Sequence, residues 1–350
     1  MEQGVWQEIE LLYQKFQKLG ISEAVDYDKY YLYSLITHST AIEGSTLTEL
    51  DTQLLFDEGV TAKGKPLVHH LMNEDLKQAY ELAKTESGSL VPITPAFLKR
   101  LNAMLMRTTG SVHSVLGGSF DSSKGEFRLC GVTAGVGGHS YMNYLKVPAK
   151  VDELCAILQE KQKKMGTLRE QYELSFNAHL NLVTIHPWVD GNGRMSRLIM
   201  NYLQFEFGLI PTKVLKEDKA AYIEALNQSR EEETTAPFQQ FMLQEHSKNL
   251  RNEIDVFKKS MVEDVVINEN KVVQKGGPEI KEVVQKSGSE TRDAIIRLIA
   301  DNANITSRDM ANKLNINRSA ILKHLKKLQE ENLIAREGSQ KSGRWIILRK

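Results

Sequence analysis

Apolar residues recur every three to four positions through most of the first 258 residues, the spacing of helices that bury one face. The pattern predicts helices over 2–19, 27–43, 47–58, 66–86, 95–107, 150–163, 168–185, 193–207, 218–230 and 236–257. Thr94 and Pro95 form a typical helix start, because threonine caps a first turn that tolerates proline. The predicted fold class is mainly α.

Residues 125–141 depart from the helical pattern. They hold Gly125-Glu126-Phe127-Arg128 and then Val132-Thr133-Ala134-Gly135-Val136-Gly137-Gly138-His139-Ser140-Tyr141. This glycine-rich, β-branched composition predicts a short β-hairpin. The glycines lack the Gly-Lys-Ser/Thr ending of a phosphate loop and the spacing of a dinucleotide fold. A plain surface hairpin is one interpretation.

Residues 291–350 follow a different order. Helices are predicted around 294–299, 307–314 and 318–331, and two strands at 333–336 and 344–348. Three helices followed by a hairpin are typical of a winged helix-turn-helix domain. The predicted domains are an N-terminal helical region (1–94), a core (95–258), a linker (259–290) and the winged helix domain (291–350).

The formal net charge of zero hides an asymmetry, because residues 291–350 carry 13 Lys and Arg against 6 Asp and Glu. In their third helix Ile321, Leu325 and Leu328 form the apolar face. The opposite face, Arg318, Ser319, Lys323, Lys326 and Lys327, is predicted to bind double-stranded DNA. Winged helices also dock proteins or dimerise, so that alternative stays open.

Composition sets the broad class. Hydrophobic residues make up 41% of the chain, and the two cysteines, Cys130 and Cys155, lack the spacing of a zinc site. The first residues lack a basic segment followed by an apolar run, and no stretch reaches 18 apolar residues. We expect a cytoplasmic location without a membrane partner. The oligomeric state, including a homo-oligomer, is left open.

Residues able to bind or react with a ligand are concentrated in one segment, His186-Pro187-Trp188-Val189-Asp190-Gly191-Asn192-Gly193-Arg194-Met195-Ser196-Arg197. Glycines let the backbone approach a ligand closely, and amides at a helix N-terminus favour an anion. Arg194 and Arg197 lie three apart in the first turn, where their forked donors suit phosphate oxygens. Asp190 is a hard oxygen ligand suited to Mg²⁺. A Gly-Asn-Gly turn with arginines on a solvated face is the alternative interpretation.

This segment resembles the signature of the Fic family, His-Pro-Phe-x-Asp/Glu-Gly-Asn-Gly-Arg-x-x-Arg, with Trp188 in place of phenylalanine. We expect Trp188 to fill the core beneath the loop. The resemblance implies transfer of AMP from ATP to a Ser, Thr or Tyr hydroxyl of a target protein. It makes His186 the general base, with an imidazole near its unperturbed pKa. It makes Asp190 the ligand of Mg²⁺ on the α- and β-phosphates.

The resemblance also implies the ATP-binding residues, Glu43, Gly191, Asn192, Gly193, Arg194, Arg197 and Tyr222. Asn192 and the neighbouring amides would line an anion hole, and the two arginines would hold the β- and γ-phosphates. Tyr222 falls where the family places an aromatic ring against adenine, although a tyrosine on an amphipathic helix is usually a packing residue. His179 is interpreted as a core or rim histidine rather than a catalytic one.

A second motif, Ser39-Thr40-Ala41-Ile42-Glu43-Gly44, is an ordinary helix end when read alone. It also fits the family pattern Ser/Thr-x-x-x-Glu-Gly/Asn of an inhibitory helix, here N-terminal to the core. Ser39, Glu43 and Gly44 are its inhibitory residues. The resemblance implies that Glu43 pairs with Arg197 and takes the place of the γ-phosphate. In some relatives the same glutamate positions a water that removes AMP.

In the family, a flap beside the active site pairs with an extended segment of the target. Its predicted docking residues are Val132, Thr133, Gly135, Val136 and Gly137. Two functions remain: an AMP transferase whose winged helix selects a target or place, or a transcriptional regulator with a nucleotide-sensing Fic domain. The intact His186 favours the first, because a sensor needs no base. Transfer of UMP or phosphocholine stays open.

Overall fold

The computed structural model describes residues 2–24, 26–89, 91–134, 138, 140–164, 166–273, 288–303, 305–314, 321, 324, 325, 328, 329, 333–337 and 344–348. The chain divides into two compact units. Unit 1 comprises residues 1–22 and 26–260, and unit 2 comprises residues 23–25 and 261–350.

Unit 1 is built mainly from helices, the last of which continues past residue 260, where unit 1 ends. They are α1 Glu2–Lys18, α2 Tyr27–Ile42, α3 Glu49–Glu58, α4 Leu67–Glu86, α5 Pro95–Leu105, α6 Val147–Gln162, α7 Leu168–Ile185, α8 Asn192–Glu206, α9 Lys219–Glu231 and α10 Ala236–Val273. Short 3-10 turns lie at Ile21–Glu23, Ser122–Lys124, Tyr144–Lys146 and Lys216–Asp218. All ten predicted helices are confirmed, and Thr94 caps α5 through a 3.1 Å bond from the Phe97 amide.

The last of these helices was predicted too short. It was expected to end at residue 257 but continues to Val273, so the first part of segment 259–290 is helical. The composition of residues 265–290, which is rich in Val, Lys, Glu and Gly, indicates a linker. However, no glycine or proline occurs between Pro237 and Gly276, so nothing in the sequence breaks the helix there.

A β-hairpin was missed by the sequence analysis. Strands β1 Val112–Val115 and β2 Gly118–Asp121 pair antiparallel across the turn at 116–117. Each strand has four residues, too few for a clear alternating pattern. In the stretch predicted to be a hairpin, Thr133 and Ser140 form an antiparallel bridge, and the Tyr141 amide donates to the Val132 carbonyl at 3.1 Å.

Helices α7 and α8 lie at the centre of unit 1, between two hydrophobic clusters. Leu198 and Tyr202 of α8 pack into the first cluster with residues of α2, α4, α5 and α6. Met200 and Phe176 pack into the second with residues of α1, α9 and α10. The turn between α7 and α8, which carries the motif, is therefore held by core on both sides.

Unit 2 contains α11 Gly288–Asp301, α12 Ser307–Leu314 and the antiparallel strands β3 Ile334–Glu337 and β4 Arg344–Ile347. The described positions between α12 and β3 that are helical are 321, 324, 325, 328 and 329. The predicted inward side chains Ile321, Leu325 and Leu328 are buried in a core of their own with Ile295, Ile299, Ile305, Met310, Ile334 and Trp345. The predicted DNA-binding residues Arg318, Ser319, Lys323, Lys326 and Lys327 lie outside the described residues.

Candidate active site

His186 ends α7 in a left-handed conformation, with φ 52° and ψ 62°. Such angles are uncommon for a residue with a side chain. Its amide still closes the helix by donating to the Leu182 carbonyl at 3.0 Å. The ring nitrogen Nδ1 lies 3.3 Å from the Val183 carbonyl oxygen, which can only accept, so Nδ1 carries the proton. The basic lone pair of the neutral imidazole is therefore on Nε2, the arrangement that a general base needs.

Tyr141 covers the ring of His186. The two ring centroids are 3.6 Å apart, and the planes of the rings are inclined by 19°. Arg230 of α9 places its guanidinium 5.2 Å from the centroid of the Tyr141 ring. Burial lowers the pKa of His186 to about 4; Arg128 and Arg230 add to this, while the Val183 carbonyl and Glu43 oppose it. The expected unperturbed pKa is therefore wrong, because the sequence does not show that an aromatic ring removes the imidazole from water.

The turn after His186 is closed by Trp188 and Asn192. Trp188 is fully buried in the core, as predicted, and its Nε1 donates to the Gly125 carbonyl at 3.0 Å. Asn192 Oδ1 accepts from the Trp188 amide at 3.1 Å, and Asn192 Nδ2 donates to the Trp188 carbonyl at 2.8 Å. The Asn192 side chain is thus used to hold the turn, which leaves main-chain amides for an anion.

Two glycines shape the start of α8. Gly191 is its N-cap with φ 79°, and a Cβ there would lie 2.9 Å from the side chains of Leu105 and Met106. A Cβ on Gly193 would collide with the Glu43 carboxylate oxygen Oε1. Gly193 therefore makes room for a carboxylate at the helix N-terminus, where the dipole favours negative charge.

Arg197 is 2% exposed and has its donors taken up by three residues. Nη2 donates to Glu43 Oε1 at 2.6 Å and to the Ser39 carbonyl at 2.9 Å, and Nε donates to Ser39 Oγ at 2.8 Å. Nη1 lies 3.3 Å from the Tyr222 hydroxyl. Burial pushes the pKa of Glu43 upward, but the charge and hydrogen bond of Arg197, together with the charges of Arg194 and Lys219, hold the pKa below its usual value. Glu43 is therefore an ionised partner of Arg197.

Arg194 is also 2% exposed, but it is poorly satisfied. Its Nη2 lies 3.5 Å from Met106 Sδ and 3.7 Å from Asp190 Oδ2. Nε and Nη1 have no hydrogen-bond partner among the residues that the structure describes. A buried guanidinium with unpaired N–H groups costs free energy unless a ligand completes it. Arg194 thus indicates an anion at the start of α8.

Asp190 lies at the mouth of the turn. Its Oδ1 accepts from the Gly191 amide at 2.6 Å, and its side chain is 69% exposed. No cluster of three or more His, Cys, Asp or Glu side chains fit for a metal occurs in the described part of the chain. One carboxylate suits Mg²⁺ all the same, since this ion keeps several waters and is shared with substrate phosphates.

A cavity of about 740 Å³ opens beside His186, Gly193 and Arg197, and its volume is within the range of ligand sites. Its walls include His186, Arg197, Tyr222, Glu43 and Arg230. The remaining lining residues are Ile42, Ala134, Gly138, Tyr141, Val183, Gly193, Lys219, Ile223, Leu226, Asn227 and Glu231.

Tyr222 is a buried wall of this cavity. Its hydroxyl lies between Arg197 and His179, 2.9 Å from His179 Nε2, and burial raises its pKa to about 12. His179 is fully buried, and burial lowers its pKa well below the usual value. The interpretation of His179 as a core histidine is confirmed by its burial.

The structure brings Ser39, Glu43, His186, Gly193 and Arg197 to one site. Val132 and Thr133 lie at the paired base of the glycine-rich stretch, whereas Gly135, Val136 and Gly137 lie outside the described residues. Sequence reasoning missed Arg128, Tyr141 and Arg230. A weak signal existed only for Arg230, which lies eight residues after Tyr222 and so shares its helix face.

The fold defines a mainly helical domain, with the motif turn between its two central helices, followed by a winged helix domain. Residues 92–204 match the family model described as Fic/DOC family, and residues 289–335 match that of winged helix-turn-helix DNA-binding domains. The chain contains a Fic domain and a C-terminal winged helix domain. No helix of the described residues is both long and apolar enough to span a membrane.

Among curated proteins, the chain is 30% identical over 216 residues to protein adenylyltransferase Fic of Drosophila willistoni, covering 59% of this chain and 38% of that protein. It is 31% identical over 213 residues to the protein of the same name in Drosophila grimshawi, covering 59% of this chain and 40% of that protein. The chain thus spans about two fifths of the length of these relatives.

Two solved structures share the fold. A Fic domain containing signaling protein from Bacteroides thetaiotaomicron superposes with a TM-score of 0.60 and 23% identity, covering 72% of this chain and 97% of that one. A Fic family protein from Desulfovibrio desulfuricans superposes with a TM-score of 0.58 and 19% identity, covering 99% of this chain and 95% of that one.

Proposed function

We propose that this protein is an adenylyltransferase that moves AMP from ATP to a hydroxyl of a target protein. The observation that carries the proposal is the buried, incompletely paired Arg194 at the start of α8, in the motif that also presents His186. An anion at the start of α8 would complete Arg194, and His186 lines the same cavity as Gly193 and Arg197 of that helix start. The adenylyltransferases to which the chain is about 30% identical support the same reaction.

The proposed step needs only proton transfer and electrostatic stabilisation. The target hydroxyl oxygen bonds to the α-phosphorus, and the bond from that phosphorus to the oxygen bridging to the β-phosphate breaks. The proton of the hydroxyl goes to His186 Nε2, and pyrophosphate leaves. Arg194, Arg197 and the amides at the start of α8 would neutralise phosphate charge, the main source of acceleration in such reactions. Tyr222 would bound the nucleoside end of the cavity.

Magnesium would neutralise phosphate charge when bound with ATP. Asp190 is the side chain that would hold it, because its carboxylate is exposed beside the turn and Oδ2 has only a distant contact with Arg194. The Gly191 amide fixes the other oxygen. This chain would thus contribute one oriented oxygen ligand.

The described conformation would be a resting state. The Arg197 donors are occupied by Ser39, Glu43 and Tyr222. A γ-phosphate would need the same donors, so Glu43 competes with it for Arg197. His186 is covered by Tyr141, and burial lowers its pKa to about 4, so the imidazole is neutral near pH 7 but is a weak base. Removal of AMP through a water placed by Glu43 would use the same groups in reverse.

A second candidate is a transcriptional regulator that senses nucleotides with the Fic domain and binds DNA with the winged helix. The match of residues 289–335 to DNA-binding winged helices favours it. The two candidates differ in whether His186 is used. We propose a cytoplasmic location for either, with a protein target and double-stranded DNA as partners.

The test is transfer with a defined product. Full-length protein carrying Glu43→Gly is incubated with Mg²⁺ and ATP, UTP or CDP-choline, and intact mass is measured for the protein and for added candidate targets. We expect the mass of AMP, with ATP only, and no product from a protein that also carries His186→Ala. ATP binding without any transfer would favour the regulator, and a UMP or phosphocholine adduct would correct the transferred group.

A further inference from the structure

Arg128 joins the motif loop to both ends of the glycine-rich stretch. Arg128 is 1% exposed, and each of its three side-chain nitrogens donates to a backbone carbonyl oxygen. Nε donates to His186 at 2.8 Å, Nη1 to Cys130 at 2.7 Å and Nη2 to Met142 at 2.7 Å. The Arg128 amide donates to the Pro187 carbonyl at 3.0 Å.

The positions of these acceptors matter. Cys130 and Met142 lie on either side of residues 131–141, which we call the flap, and the flap is paired at its base by Thr133 and Ser140. His186 and Pro187 are the first two residues of the motif. The Arg128 guanidinium therefore fixes the backbone at His186 relative to both ends of the flap.

This use of arginine is costly in a buried place. The acceptors of Arg128 are uncharged carbonyl oxygens, and burial lowers its pKa from the usual value. Burying a charge without a carboxylate costs free energy, and an apolar side chain would fill the space more cheaply. A planar fork with donors in three directions is what only arginine offers. The geometry therefore points to a role beyond filling the core.

We propose that Arg128 is a positioning residue for the transfer reaction, which holds His186 and the flap in register with one another. A target strand docked on the flap would then present its hydroxyl to the base at a fixed distance. The inference rests on the proposed transferase function for its activity readout. Displacement of a reacting group by about 1 Å costs about a hundredfold in rate, so such a tether has a measurable effect.

The charge of Arg128 acts on His186 as well. The groups that face the imidazole are Arg128, Arg230 and Glu43, with the Tyr141 ring stacked on it. Both arginines lower the pKa of His186, and Glu43 raises it. A substitution that removes the Arg128 charge should therefore raise the pKa of His186. A substitution that removes the guanidinium but keeps a positive charge should not.

Two variants of the full chain separate these contributions, each made alone and with Glu43→Gly. Arg128→Lys keeps the charge but cannot reach three carbonyls, and Arg128→Met removes both. Arg100→Met is the control, since Arg100 is half exposed and pairs with Glu86 on the surface. Thermal melting checks folding. Calorimetry gives ATP affinity, labelling gives kcat and KM, and NMR follows the His186 imidazole through a pH titration.

We expect kcat to fall about a hundredfold in both Arg128 variants of the Glu43→Gly protein, with ATP affinity within about twofold of the parent. The His186 titration midpoint should rise in Arg128→Met and stay in Arg128→Lys. Equal losses of ATP affinity and kcat would overturn the proposal. The NMR spectra also test the tether without any transfer. In Arg128→Lys, which keeps the charge, the His186 ring signals should shift or broaden because the loop is no longer held, and signals identical to those of the parent would overturn the proposal even if the proposed function fails.

Discussion

Glu43 Oε1 accepts from Arg197 Nη2 at 2.6 Å, although the two residues are 154 positions apart in the chain. The carboxylate lies over Gly193, at the N-terminus of the helix that carries Arg197. The pair therefore occupies both the guanidinium and the space in front of the amides that a phosphate would use.

Removing this carboxylate should strengthen ATP binding. In Glu43→Gly the Arg197 Nη2 loses its partner, and a γ-phosphate can take its place. A charge-assisted hydrogen bond is worth about 1.5–3 kcal/mol, so we expect ATP affinity to rise about ten- to a hundredfold in calorimetry. Self-modification should rise with it. Glu58→Ala, at an exposed position, is the control, and an affinity equal to wild type would refute the inhibitory assignment.

His186→Ala should separate chemistry from binding. Because a base acts on the attacking hydroxyl, transfer by the Glu43→Gly protein should fall about 10²- to 10⁴-fold while ATP affinity stays within about twofold. Labelling and calorimetry on the same preparations measure the two effects. His113→Ala, in the hairpin β1–β2, is the matched control. A parallel loss of ATP affinity would show that His186 holds the loop rather than acting as a base.

The pH profile should reflect the depressed pKa of His186. The neutral imidazole is the active form, and burial favours it down to pH about 4. Since Glu43 raises that pKa, its removal does not bring the value up. We therefore expect kcat/KM of Glu43→Gly to be flat from pH 8 to about 5.5 and to fall towards pH 4. A half-maximal rate near pH 6.5 would mean that the base works without its Tyr141 cover.

Gly193→Ala tests whether Glu43 and phosphate share one space. In the wild type the added methyl group displaces the Glu43 carboxylate, the mobile end of its side chain. In Glu43→Gly the same methyl group projects into the vacated volume. We expect Gly193→Ala to reverse the gain of ATP affinity in that background, measured by calorimetry. An unchanged gain would place the phosphates elsewhere. Gly4→Ala, at a helical glycine of α1 whose added Cβ would meet open space, is the control.

The winged helix domain should bind duplex DNA with a steep dependence on salt. A domain of net charge +7 that contacts about four to six phosphates gives a slope of about −4 to −5 in log affinity against log salt. Sequence selection should yield a site bound about a hundredfold better than random DNA. Arg318→Ala with Lys323→Ala should abolish that preference, and Lys313→Ala should not. Selection that enriches no sequence would make this domain a protein-docking module.

The helices were predictable because each has a long apolar stripe and a clear start or stop, as Thr94 and Pro95 show for α5. The prediction that Glu43 pairs with Arg197 depended on family resemblance, since Glu43 alone looks like a helix end. The features that were not predicted are tertiary contacts. The stacking of Tyr141 on His186 and the three carbonyl bonds of Arg128 join segments far apart in sequence, and no local pattern encodes them.

The placement of α2 limits how the proposed inhibition could be relieved. Tyr31, Leu35 and Ile36 of this helix are buried in the first hydrophobic cluster. Exposing each would cost about 1.5–3 kcal/mol, and together they approach the whole stability of a typical domain, about 5–15 kcal/mol. The Glu43 side chain, by contrast, is 32% exposed, and Gly44 follows it with φ +102°. Moving the Glu43 side chain alone therefore costs far less free energy than displacing α2 from the core. A small ligand or a single docked residue would be enough to move it.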